Sequence, residues 1–287
     1  MGAQEEAPEA LGGSLTMVTT IAPLLAVGAA GIVAGTLANR AIDRMQRETA
    51  QPDADPRCRC QLDPPSPLVT DRRIPVAVVD TFLHRGTCAC CGRRQRLRPL
   101  VVELSTAALF VVLTVRLVSL DLLPALPAYL YFATVAVALT VIDIDCKRLP
   151  NFLVLPSYPA VFTLLAFAAA VQGDWPALLR AAVGAAALFG FYLVLALVHP
   201  AGMGLGDVKL AGVIGAVLAF VSYGAFVLGA LLAFVFAAIA GAVLLITRRA
   251  LVGTTIPFGP YMIAAALVGV VAAEPLGRAY LSWRTGA

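Results

Sequence analysis

The chain has 287 residues, of which 60% are hydrophobic and only 13% charged, with a mean hydropathy of +0.87. Soluble domains carry roughly 25% charged residues, so a soluble globular enzyme is excluded and a polytopic membrane protein is expected. The net charge of +4 does not point to nucleic acid, because basic residues in such a chain serve topology and contact with anionic headgroups.

Residues 1–14 read as an extracytoplasmic tail with Glu5, Glu6 and Glu9 and no basic residue. A secretory signal starts cationic, so the first apolar run, 15–38, is expected to stay as a membrane helix. Residues 39–98 are the one sizeable polar segment and are read as a small loop domain. The remaining 99–281 holds seven runs near the ~20 residues needed to span a bilayer. They are Pro99–Leu120, Ala128–Ile142, Phe152–Val171, Pro176–Val198, Val208–Val221, Tyr223–Thr247 and Phe258–Ala273. The run Val208–Val221 is short and contains glycine, so it is expected to be tilted, re-entrant or extended backward. The expected fold class is an all-α polytopic membrane protein of about eight transmembrane helices with a small cytoplasmic Cys-containing loop domain.

Charge sets the orientation. Of 21 Lys and Arg, twelve lie between Arg40 and Arg98, and five more are Lys147, Arg148, Lys209, Arg248 and Arg249. Basic residues favour the cytoplasmic side, which places 39–98 inside and both termini outside. The third span then runs inward to Asp143, and the fifth runs inward through His199 toward Asp207. Both carboxylates fall at the cytoplasmic edge, whereas a transporter site belongs nearer the bilayer midplane.

Five of the six cysteines, Cys58, Cys60, Cys88, Cys90 and Cys91, lie in the loop. Disulfides do not persist in the cytoplasm, which leaves metal binding or free thiols. Cys88-x-x-Cys91 followed by Gly92 has the shape of a zinc knuckle; Cys58-x-Cys60 is a less regular partner pair. A polar segment of this size needs a staple to fold, so structural zinc on Cys58, Cys60, Cys88 and Cys91 is the expectation, with reduced thiols as its alternative. Cys90 is a bystander and Cys146 a small interfacial hydrophobe.

A carboxylate beside hydrocarbon is costly and marks function by default. Asp143 stands in VIDIDCKRLPN and Asp207 in GMGLGDVKL, each at the end of an apolar run. Two such groups at one depth suit a shared-proton dyad, in which repulsion between like charges keeps one carboxyl neutral. The plainer alternative is that each Asp only ends a helix at the membrane surface. Asp145 reads as a supporting carboxylate. Gly204 and Gly206 either let an extended substrate approach Asp207 or serve helix packing. Lys209 either favours the ionised dyad or, preferably, snorkels to headgroups. No G-x-S-x-G or H-E-x-x-H motif occurs, and the two histidines are His84 and His199.

Several segments together resemble the type IV prepilin peptidase family. GIVAGTLANRAIDRM (31–45), RIPVAVVDTFLHRGTCACCG (73–92), RPLVVEL (98–104), IDIDCKRLPN, GMGLGDVKLAG and IPFGPYM (256–262) match its pattern in order. GxGD alone is weak evidence, but its extended form, paired with Asp143 six residues before Leu149-Pro150 and with the cysteine loop, is strong. The resemblance implies Asp143 and Asp207 as catalytic residues. It also implies cleavage of a short basic leader from prepilin or pseudopilin substrates at the cytoplasmic face of the bacterial cytoplasmic membrane. N-methylation of the new terminus with S-adenosylmethionine is implied as well, with Glu103 as the associated residue, one position further from Pro99 than the family places it. No cofactor is needed for proteolysis. No glycine-rich Rossmann loop is present, so the methyl-donor site is not located.

Three competing readings differ in what they explain. An ion-coupled transporter accounts for carboxylates near the membrane but not for the cysteine loop. A presenilin-type protease shares only GxGD, because Asp143 follows Ile142 rather than Tyr. A peptidase lacking methylation fits the irregular Cys58/Cys60 pair and the Glu103 spacing.

Overall fold

The computed structural model describes residues 9–49, 98–147, 149–198, 203–247 and 257–285. Among these there are eight α-helices and no strand. They are α1 (Glu9–Thr49), α2 (Arg98–Ser119), α3 (Leu126–Cys146), α4 (Asn151–Gln172), α5 (Trp175–Val198), α6 (Leu205–Val221), α7 (Tyr223–Ile246) and α8 (Gly259–Thr285). A short 3-10 turn, Leu123–Ala125, leads into α3. Six helices are long and apolar enough to cross a membrane; α6 has 17 residues, and the apolar part of α8 is Gly259–Ala272. The all-α membrane architecture expected from the sequence is therefore found.

Boundaries differ from the expectation in informative places. Helix α1 does not stop at Ala38 but runs to Thr49. Ala38 and Ile42 are buried against Val102, Ala138 and Ile142, so the stretch taken as the start of the polar loop continues the helix and packs on α2 and α3. The run expected at Val208–Val221 is extended backward to Leu205, which puts Asp207 inside the first turn of α6. The cysteine loop expected at 39–98 lies outside the described residues beyond Thr49, as does His199.

Helix α6 is the axis of the bundle. Thirteen of its 17 residues are buried, whereas only 11% of the apolar window of α7 is. Chemistry explains the contrast. α6 carries Ala211, Gly212, Gly215, Ala216 and Ala219, small residues that let neighbouring membrane helices approach closely. A Cβ at Gly215 would lie 2.3 Å from the carbonyl oxygen of Gly184 on α5, so these two backbones touch. Helix α7 presents Val227, Leu231, Val235 and Ile239 outward, as a helix bathed in lipid does.

A buried helix end needs partners for its last carbonyls. Arg180 on α5 supplies them: Nε donates to Ala219 O and Nη2 to Phe220 O at 2.6 Å, while its guanidinium lies over Tyr223. Tyr129 on α3 adds a bond from its hydroxyl to Val217 O at 2.7 Å. Arg180→Met should therefore leave two carbonyls unpaired, at about 1–3 kcal/mol each. Thermal unfolding in detergent is expected to show a clear drop in Tm; an unchanged Tm would mean that this clamp contributes nothing.

Candidate active site

Asp143 and Asp207 reach the same end of the bundle by different local routes. Asp143 lies in the last turn of α3, and Asp207 is the third residue of α6 after its N-cap, Gly204. Their exposures are 4% and 8%. The N–H of Gly259, first residue of α8, donates to Asp143 Oδ2 at 3.1 Å. That N–H is one of the unpaired donors of a helix start, which attract anions. A Cβ at position 259 would stand 2.7 Å from the same oxygen, so only glycine permits the approach.

Asp207 Oδ2 turns toward the N-cap residue, 3.6 Å from where a Cβ at Gly204 would stand. Its Oδ1 is the only buried side-chain oxygen without a hydrogen-bond partner among the described residues. Buried polar atoms are nearly always bonded, and catalysis is one of the few recognised reasons for an exception. Leu149 lies against both Gly206, which precedes Asp207, and Gly259, which bonds Asp143, so the two carboxyls stand at one junction of helix ends.

The link between α3 and α4 holds this arrangement. Lys147 ends α3 in the left-handed region, φ 50°, with its N–H on Asp143 O at 2.9 Å, a common way to close a helix. The chain then carries Leu149 between the two site segments. A Cβ at Gly206 would lie 2.8 Å from Leu149 Cβ, and one at Gly259 would lie 3.6 Å from Leu149 Cδ1. Tyr192 on α5 stacks on Phe234 at 5.7 Å and meets Phe258, the neighbour of Gly259, at 5.9 Å between ring centroids.

The other residues singled out in the sequence fall in three groups. Asp145 pairs with Arg98 at the start of α2. Lys209 Nζ donates to Asn151 Oδ1 at 2.9 Å, a partner within the protein that the snorkelling reading did not include. Gly206 packs on Leu149, while Gly204 keeps room for a side chain. Glu103 is 1% exposed on α2 and faces α1, where a Cβ at Gly35 would come within 2.6 Å of Glu103 Cα. Cys58, Cys60, Cys88 and Cys91 lie outside the described residues. Among the described residues, no group of three or more His, Cys, Asp or Glu could hold a metal ion.

Residues 130–273, which contain both aspartates and Gly259, match the Type IV leader peptidase family, and residues 29–117 match the Bacterial Peptidase A24 N-terminal domain. The chain belongs to the type IV leader peptidase family. Membership makes it an enzyme, a membrane peptidase. Three relatives, each called a prepilin leader peptidase/N-methyltransferase, are similar along much of the chain. The protein of Bacillus subtilis is 29% identical over 74% of this chain and 81% of its own length. That of Pseudomonas putida is 33% identical over 68% and 65%, and that of Aeromonas salmonicida 34% identical over 69% and 66%. The chain thus spans slightly less than two-thirds of the last two. No solved structure gives a significant match.

Around this candidate site, the sequence alone points to no role for Leu149, Asn151, Tyr192 and Gly259. Three of them stand in motifs that were legible, RLPN and IPFGP, but a motif does not say what its residues touch. Tyr192 stands in an apolar run where nothing distinguishes it from core.

Proposed function

We propose that the chain is an aspartic endopeptidase that removes the leader of prepilin or pseudopilin substrates at the cytoplasmic face of the bacterial cytoplasmic membrane, and then N-methylates the new terminus. The carrying observation is the pair of buried carboxyls on IDID and GLGD at one junction of helix ends, with Asp207 Oδ1 unbonded. The pair holds one proton. Its ionised member takes a proton from water, while its neutral member hydrogen-bonds the scissile carbonyl. Collapse of the tetrahedral intermediate returns a proton to the leaving amine. Gly259 N–H and the Leu149 wedge keep the carboxyls oriented. The site lies where α3 ends and where α6 and α8 begin, which favours a peptidase meeting a substrate at the membrane edge over a transporter with a midplane site.

S-adenosylmethionine, implied by the relatives' names, would supply an electrophilic methyl carbon. Glu103, buried on α2 against Gly35 of α1, is the candidate residue for the methylation step. Structural zinc on Cys58, Cys60, Cys88 and Cys91 remains part of this reading, with membrane lipid and prepilin as partners and no nucleic acid. The zinc is expected to stabilise the loop rather than act in proteolysis. Purified protein should contain about one equivalent of zinc, lost on replacing Cys88 and Cys91 by Ser while leader cleavage persists. Metal-free protein with an intact loop would refute the zinc.

Co-expression with a prepilin, followed by mass spectrometry of the mature N-terminus, tests the function. Loss of the leader together with one added methyl group is expected. An unprocessed prepilin would overturn the peptidase reading, and a cleaved but unmethylated one the methylation.

A further inference from the structure

We propose that Lys209 and Asn151 are positioning residues for cleavage, their hydrogen bond locking the start of α4 onto α6 so that the two carboxyls keep their separation. This rests on the peptidase reading and extends it to residues that do not touch the reacting atoms.

The geometry carries the inference. Asp143 and Asp207 belong to different helices, α3 and α6, whose bond from Tyr129 to Val217 O lies at the ends opposite the two aspartates. The 143–151 link leaves α3 at Lys147, passes Leu149 between Gly206 and Gly259, and enters α4 at Asn151. The next fixed point is the 2.9 Å bond from Lys209 Nζ to Asn151 Oδ1. Two turns further along α4, Tyr158 donates its hydroxyl to Lys209 O at 2.6 Å. Side chain and backbone of one residue, two positions after Asp207, are therefore both held by α4.

Direction separates this role from an electrostatic one. Two positions along a helix are about 200° apart around its axis, so Lys209 leaves α6 on the side away from Asp207. Its ammonium is bonded to an amide oxygen rather than a carboxylate. The amine acts here as a strut, and its charge is incidental to the dyad.

The test is steady-state cleavage of a purified prepilin by the full chain in detergent or vesicles. Asn151→Ala and Lys209→Met should each lower kcat by about 10- to 100-fold, the cost of a misplacement on the order of 1 Å, with KM little changed. The double variant should be no slower than either single one, because both remove one interaction. Asn151→Asp keeps an acceptor for Lys209 and should recover most of the lost kcat. Asn151 is exposed, so its variants should keep the wild-type Tm. Wild-type kcat in Asn151→Ala would overturn the inference. So would a shift of the pH profile in Lys209→Met that Asn151→Ala does not share, since that is the signature of a charge acting on the dyad. A fall in kcat that tracks a fall in Tm would also overturn it, in favour of simple stability. Failure of the wild-type chain to cleave strikes the proposed function instead, and differs visibly from a result seen only between variant and wild type.

Discussion

Asp143→Asn and Asp207→Asn are each expected to reduce prepilin cleavage by about 1,000-fold or more, with the protein still folded and membrane-inserted. An amide keeps the shape of the carboxyl but can neither take a proton from water nor share one with its partner. The two groups work as a unit, so the double variant should be no worse than the singles. Processing by either single variant at the wild-type rate would end the assignment. Asp145→Asn should keep substantial activity, because Asp145 sits in a partly exposed pair with Arg98, and such pairs contribute about 1 kcal/mol or less. A quantitative immunoblot of prepilin and mature pilin separates these outcomes.

Gly259→Ala should lower cleavage by about 100-fold, although position 259 contributes no side chain to the reaction. The new methyl would stand 2.7 Å from Asp143 Oδ2, well inside contact distance. The methyl must push the carboxylate off the Gly259 N–H or shift the start of α8. Either movement disturbs one member of the proposed dyad, and misplacement on the order of 1 Å costs about 100-fold. Loss should appear in kcat, with the Tm lowered only modestly because the rest of α8 is untouched. Full activity in Gly259→Ala would show that the bond from Gly259 does not orient Asp143.

The Gly259 and Lys209 results bear on one another. The first perturbs Asp143 from α8 and the second perturbs the Asp143–Asp207 spacing from α4. Both pass through Leu149, which packs on Gly206 and Gly259. Substituting Leu149 by Ala should therefore weaken both supports, a joint effect that separate clamps would not give.

Length, hydropathy and order of motifs were enough to read the membrane class, the apolar helices and both aspartates, because each of those signals is local. A run long enough to span is visible without knowing its neighbours, and so is an Asp beside it. The continuation of α1 to Thr49 was hidden because Asn39 to Thr49 looks polar until Ile42 is seen buried against Val102 and Ile142. The site's supports were hidden for the same reason at longer range. The Gly259–Asp143 bond joins residues 116 apart and the Lys209–Asn151 bond residues 58 apart. The sequence by itself determined which residues can do the chemistry. Only the tertiary structure decided which of them meet, since that depends on how closely small residues on α6 and α8 let helix ends approach, a property of packed pairs and not of any single run.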